Sequence, residues 1–139
     1  AALASMTRPQ QDAAEILRGA HAMTDVTGFG LAGHLHGICM ASGKSAELNV
    51  NAIPRLPGAE ALAAAGVRST LYPKNRDAVP GLAADSPAAE LLFDPQTAGG
   101  LLASVPDGAA RVEELRALGY EAAVIGRIVG DWPGHISLV

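Results

Sequence analysis

Two stretches of the chain bring carboxylate, hydroxyl and glycine together in patterns that can do chemistry. The first is Thr24-Asp25-Val26-Thr27-Gly28-Phe29-Gly30, directly ahead of a glycine-dotted helical pattern. A carboxylate beside two hydroxyls and two glycines, at a helix entrance where backbone N–H groups lack partners, can hold Mg²⁺ and approach phosphate oxygens. Magnesium usually takes only one or two carboxylates beside phosphate and water, so Asp25 alone is a reasonable share, with Thr24, Thr27 and Gly28 on the phosphate side. The plainer use of the same residues is structural: Asp25 or Thr27 caps the helix and the glycines allow tight packing. The second stretch is Phe93-Asp94-Pro95-Gln96-Thr97-Ala98-Gly99-Gly100. Gly99 and Gly100 permit backbone conformations closed to other residues and let a ligand or another chain segment come close. Asp-Pro followed by Thr and two glycines is also an ordinary turn.

Other reactive side chains carry less. His34 and His36 are two apart, so on a helix they point in different directions and cannot share one ion. His34 falls on the apolar stripe, where a hydrogen-bonded interior histidine is expected, and His36 is expected at the surface. Cys39 lies near the same stripe and reads as a small buried hydrophobe, not a nucleophile. Lys74, Asn75, Arg76 and Asp77 form a polar cluster that reads first as a solvated patch and second as a contact for an anion or a partner domain.

The elements that must position these residues follow from periodicity. Thr7 and Gln10 have capping-box spacing, and Ala13, Ile16, Leu17 and Ala20 recur at helical intervals, which predicts a helix over about Arg8 to Arg18. A second helix is predicted from Gly30 to Ser42, with Leu31, Leu35 and Ile38 on one face and Gly43 as a left-handed stop. Its glycines each weaken it by up to about 1 kcal/mol relative to alanine, so close backbone packing must hold it. Ser45 to Val50 alternates like a strand with Glu47 and Asn49 on a wet face, and Ala59 to Ala65 reads as a short helix ended by Gly66. Val67 to Pro87 reads as a long loop.

Leu101 to Val105 reads as a buried strand, followed by a helix capped by Asp107, with Val112, Leu115 and Leu118 inward and Gly119 closing it. Tyr120 to Val129 and His135 to Val139 read as two further strands. Together these imply an α+β or α/β sandwich with a mixed, mostly antiparallel sheet covered by helices, one domain over residues 1–139.

Composition narrows the class. The chain has 139 residues, 49% hydrophobic and 17% charged, enough for one sizeable core. Ten Lys and Arg against fourteen Asp and Glu give a formal charge of -4 with no basic block, which argues against nucleic-acid binding. Cys39 is the single cysteine, so no intrachain disulfide is expected and a reducing, cytoplasmic setting fits. No apolar run approaches the ~18 residues of a membrane span and no secretory signal is evident. The opening Ala-Ala-Leu-Ala suggests an excised piece or a processed product.

Taken together, Thr24 to Leu35 closely resembles the signature that opens the second domain of selenophosphate synthetases, and Leu92 to Leu102 resembles that family's second signature. Ala4-Ser5-Met6-Thr7 and Asn75 match as well, while Ala98 stands where Ser is usual and Ala32 where Leu is frequent. The resemblance spans nearly the whole chain. It implies the carboxy-terminal domain of a two-domain enzyme of the aminoimidazole ribonucleotide synthetase superfamily, which converts ATP, selenide and water into selenophosphate, AMP and phosphate. It also implies that an amino-terminal domain binds most of the Mg²⁺ and ATP, that the full-length protein is a homodimer, and that Asp25 is this domain's carboxylate toward the metal. The resemblance places a catalytic Cys or selenocysteine and a Lys in that other domain, so no catalytic residue is expected here. Two further readings stay open: a non-catalytic interaction module of the same fold, or a sister ATP-using enzyme such as a thiamine monophosphate kinase.

Overall fold

A computed structural model describes residues 1–139. Its chain order is α1 (Ala2–Met6), α2 (Gln11–Ile16), β1 (Ala22–Asp25), α3 (Gly30–Ser42), β2 (Ser45–Leu48), α4 (Ala59–Ala64), α5 (Tyr72–Asp77), α6 (Pro87–Glu90), β3 (Leu101–Ser104), α7 (Gly108–Ala117), β4 (Gly126–Val129) and β5 (Ile136–Leu138). Single 3-10 turns follow β2 at Val50–Ala52 and α6 at Leu91–Phe93.

Strand β3 alternates its side chains between two apolar clusters, and that alternation organises the chain. Leu102 points into the main core beside Val26, Leu35, Cys39, Leu48, Phe93 and Ile136. Leu101 and Ala103 pack instead against Ala13, Leu17 and Leu115, which join α2 to α7. Phe93 and Cys39 are the largest fully buried side chains, so the second motif's aromatic sits at the centre of the main core. Burial also pushes the Cys39 thiol above its ordinary range, in keeping with a packing role.

The fold is α+β with mixed, mostly antiparallel pairing, divided between two sheets. β1 and β3 form an antiparallel ribbon, while β2 is the centre of a three-stranded sheet, antiparallel to β4 and parallel to β5. Helix α3 forms over the predicted span and stops at Gly43, whose φ of 65° is left-handed. What holds this glycine-rich helix is close contact, as its composition requires. At Gly30, with φ 72°, a β-carbon would stand 2.7 Å from the Leu92 carbonyl oxygen and 2.9 Å from the Phe93 carbonyl carbon.

Several expected elements differ. The helix expected over Arg8 to Arg18 is only α2, because the Thr7 hydroxyl turns back to donate to the Leu3 and Ala4 carbonyls of α1 and the Gln10 side chain leaves for Gly99. The loop expected over Val67 to Pro87 contains α5, whose buried residues include an asparagine and so escape an apolar pattern. Of Tyr120 to Val129 only the end is strand, since β2 yields to a 3-10 turn and offers no longer edge. Asp107 does not cap α7 with its side chain but pairs with Arg111 at 3.0 Å, and Leu118 is exposed because the helix has ended. No helix is long and apolar enough to cross a membrane.

Candidate functional site

Asp25 ends β1, opposite Leu101 of β3. Strand pleating sends Thr24 toward α3 and Asp25 to the opposite face, where it is exposed. Its carboxylate joins none of the seven ion pairs. The one side-chain hydrogen bond that reaches Asp25 comes from the Thr24 hydroxyl to its main-chain carbonyl, at 3.0 Å. The capping alternative therefore fails: α3 begins at an uncapped Phe29, and neither Asp25 nor Thr27 closes its end with a side chain. At the helix start Thr27 uses its backbone, its carbonyl accepting from Gly30 N–H at 3.1 Å, while its hydroxyl lies 3.3 Å from His34 Nε2.

The second motif is zipped to the first along the backbone. Val26 N–H donates to Gly100 O at 2.9 Å, Gly99 N–H to Val26 O at 3.1 Å, and Gln96 N–H to Thr27 O at 3.0 Å. Gly99 is buried, its carbonyl accepts from the Gln10 side chain at 2.7 Å, and a β-carbon there would overlap the Val26 carbonyl. The close approach that Gly99 permits is thus to Val26, with both its polar groups engaged. Gly28 and Gly100 are exposed, and a β-carbon at either would meet open space.

Two side chains brace the turn between the motifs. His34 Nε2 accepts from Thr27 N–H at 3.0 Å, which requires a neutral ring carrying its proton on Nδ1, within 3.5 Å of the Thr24 hydroxyl. Asn75 is 4% exposed, and its Nδ2 donates to both Gly28 O at 2.9 Å and Phe93 O at 3.0 Å. Asn75 is therefore not part of a solvated patch, although Lys74, Arg76 and Asp77 beside it are exposed. The signal for it lay in Tyr72, Asn75 and Val79, three buried residues at i, i+3 and i+7. His36, expected at the surface, is half-buried, with Nδ1 donating to Gly134 O at 2.9 Å.

Beneath the second motif, Arg68, Tyr72, Glu90 and Asp94 line a cavity of about 10 Å³. Arg68 pairs with Glu90, and its guanidinium lies 5.3 Å from the Tyr72 ring centre. Burial raises the Asp94 carboxyl above the ordinary aspartate range, and the nearby Arg68 charge offsets this only in part. Of this group only Asp94 lies within a stretch whose residue types point to chemistry.

Asp25 fits a magnesium ion as one hard oxygen donor with no competing partner, but not as a complete site. No group of three His, Cys, Asp or Glu side chains is placed to hold a metal.

The sequence has counterparts in known proteins. The model of the family described as "AIR synthase related protein, C-terminal domain" matches residues 2–138. The chain belongs to that family. As an AIR synthase related C-terminal domain it is similar to curated proteins named selenide, water dikinase. It is 42% identical to that of Cronobacter sakazakii over 130 residues, covering 91% of this chain and 37% of the relative. It is 44% identical over 118 residues to that of Yersinia pseudotuberculosis, covering 83% of this chain and 34% of the relative. The protein of Escherichia coli O157:H7 is 40% identical over 117 residues, with 81% and 34% covered. The AIR synthase related domain thus spans about a third of the length of these relatives.

Proposed function

We propose that this domain is the carboxy-terminal part of a selenophosphate synthetase, which converts ATP, selenide and water into selenophosphate, AMP and phosphate. In this reading it is inactive alone. It supplies Asp25 and the turn Thr24–Gly28 to a nucleotide site built mainly by an amino-terminal ATP-binding domain. Residues 1–139 act as a single domain toward that partner. The observation that carries the reading is Asp25 itself: an exposed carboxylate without any intrachain partner, on backbone locked by both motifs. A free carboxylate on rigid backbone suits a ligand that arrives from another body.

Bound there, magnesium would neutralise charge on the triphosphate. The chain's own part is positional. Asp25 presents one oxygen donor, the open Gly28 and Gly100 let phosphate approach the backbone, and His34 keeps the Thr27 N–H fixed. Gly99 serves this arrangement from beneath, by seating the second motif on Val26.

The test is Asp25→Asn and Asp25→Ala in the full-length protein. We expect selenide-dependent AMP formation to fall by about a hundredfold or more with the thermal midpoint retained. Unchanged turnover under saturating Mg²⁺ overturns the reading.

A further inference from the structure

We infer that Asn75 is a positioning residue for the nucleotide-facing turn, acting through the carbonyls of Gly28 and Phe93; the inference rests on the reading of the site just given. Asp25 is held by the β1–β3 ladder, which ends at Val26 N–H to Gly100 O. Past that point Gly99 N–H and Gln96 N–H still hold the Val26 and Thr27 carbonyls, while the turn is exposed at Gly28 and Phe29, where side chains make the remaining attachments. Thr27 N–H is held by His34, and the Gly28 carbonyl by Asn75 alone among side chains.

The amide is suited to this task. One NH₂ group spans two carbonyls from two motifs that are 65 residues apart in sequence (93 minus 28). Fixing the Gly28 carbonyl fixes the peptide plane of Gly28 and Phe29, and with it the direction from which a phosphate meets Thr27 and Gly28. Neither a hydroxyl nor a carboxylate can replace it: the first offers one donor and the second offers none. A buried carboxylate there would face two carbonyl oxygens. Asn75 thus acts on the nucleotide side of the site, while Asp25 acts on the metal side.

The experiment uses the full-length protein and direct binding, so that it does not depend on turnover. Calorimetry measures the affinity for Mg-ADP, and electron paramagnetic resonance of Mn²⁺ measures the affinity for the metal alone. Asn75→Ala is expected to weaken Mg-ADP binding about tenfold and to leave Mn²⁺ affinity within about twofold. In a His34→Ala background, which removes the acceptor for Thr27 N–H, the effect of Asn75→Ala on Mg-ADP is expected to shrink, because both side chains brace the same turn.

A lowered thermal midpoint with unchanged Mg-ADP affinity overturns the inference, as does a strictly additive double mutant. Should Asn75→Ala fail to fold, Asn75→Ser, which keeps one donor, is measured against the same two outcomes. If Asp25→Asn leaves Mn²⁺ affinity intact, the reading of the site fails instead, whatever Asn75 does.

Discussion

Gly99 and Val26 meet backbone to backbone: the Gly99 N–H donates to the Val26 carbonyl at 3.1 Å, and no β-carbon fits between them. This contact is where the two motifs are pressed together. Gly99→Ala is expected to destabilise the fold by about 1–3 kcal/mol, since backbone offers no flexible end that can yield. Urea denaturation checks it. Gly100→Ala, with open space at the same atom, is the control and should stay within about 0.5 kcal/mol.

Tyr72 is 9% exposed and packs edge-on against Phe93, with ring centres 6.0 Å apart, yet its buried hydroxyl has no hydrogen-bond partner within the protein. A buried hydroxyl without a partner carries a desolvation penalty that phenylalanine lacks. Tyr72→Phe is therefore expected to be neutral or stabilising by up to about 1 kcal/mol, read as a rise in thermal midpoint. Tyr72→Ala should lose several kcal/mol, on the order of 3–5, for the cavity it leaves.

The carboxyl of Asp94 is raised by burial, with Arg68 opposing. For an acid raised in the folded state, the unfolded chain gives up its proton first. The favourable contribution is present below the ordinary aspartate pKa and is lost as pH rises through the folded value. Asp94→Asn should thus be more stable than the parent at about pH 7, with the gap closing on acidification to about pH 3. Thermal midpoints across that range decide it; a gap that widens in acid contradicts it.

His34 accepts from the Thr27 N–H at 3.0 Å through Nε2. His34→Ala removes the acceptor and should cost about 1–2 kcal/mol. Amide exchange at Thr27 is expected to accelerate more than exchange within β2. Equal acceleration at both would mean a general loss of stability, not a local brace.

Much of the architecture was legible where one local rule governed the outcome. The α3 span and its stop at Gly43 follow from a periodic apolar face and a glycine free to take a positive φ. Gly66 and Gly119 end their helices in the same way, with φ of 82° and 79°. What was not legible depended on partners distant in sequence. Thr7 and Gln10 have the spacing of a capping box, yet Gln10 is engaged 89 residues away at Gly99. Asp107 has the right type for a cap and was diverted by Arg111.

The site divides along the same line. Asp25 was singled out by residue type and neighbours, and the fold leaves it exposed at the end of β1. Gly99 was expected to admit a ligand or a chain segment, and the segment it admits is Val26. Asn75 reads as a polar residue among charges, and only tertiary contact turns it into a buried bracket between two loops.

The ribbon of β1 and β3 shares no ladder with the three-stranded sheet. Two-stranded ribbons are marginal by themselves, so this one relies on the side chains packed on its two faces. The seam in main-chain hydrogen bonding is therefore bridged by side chains alone, with Val26, next to β1, and Leu102 of β3 in one core with Leu48 and Ile136 of the sheet.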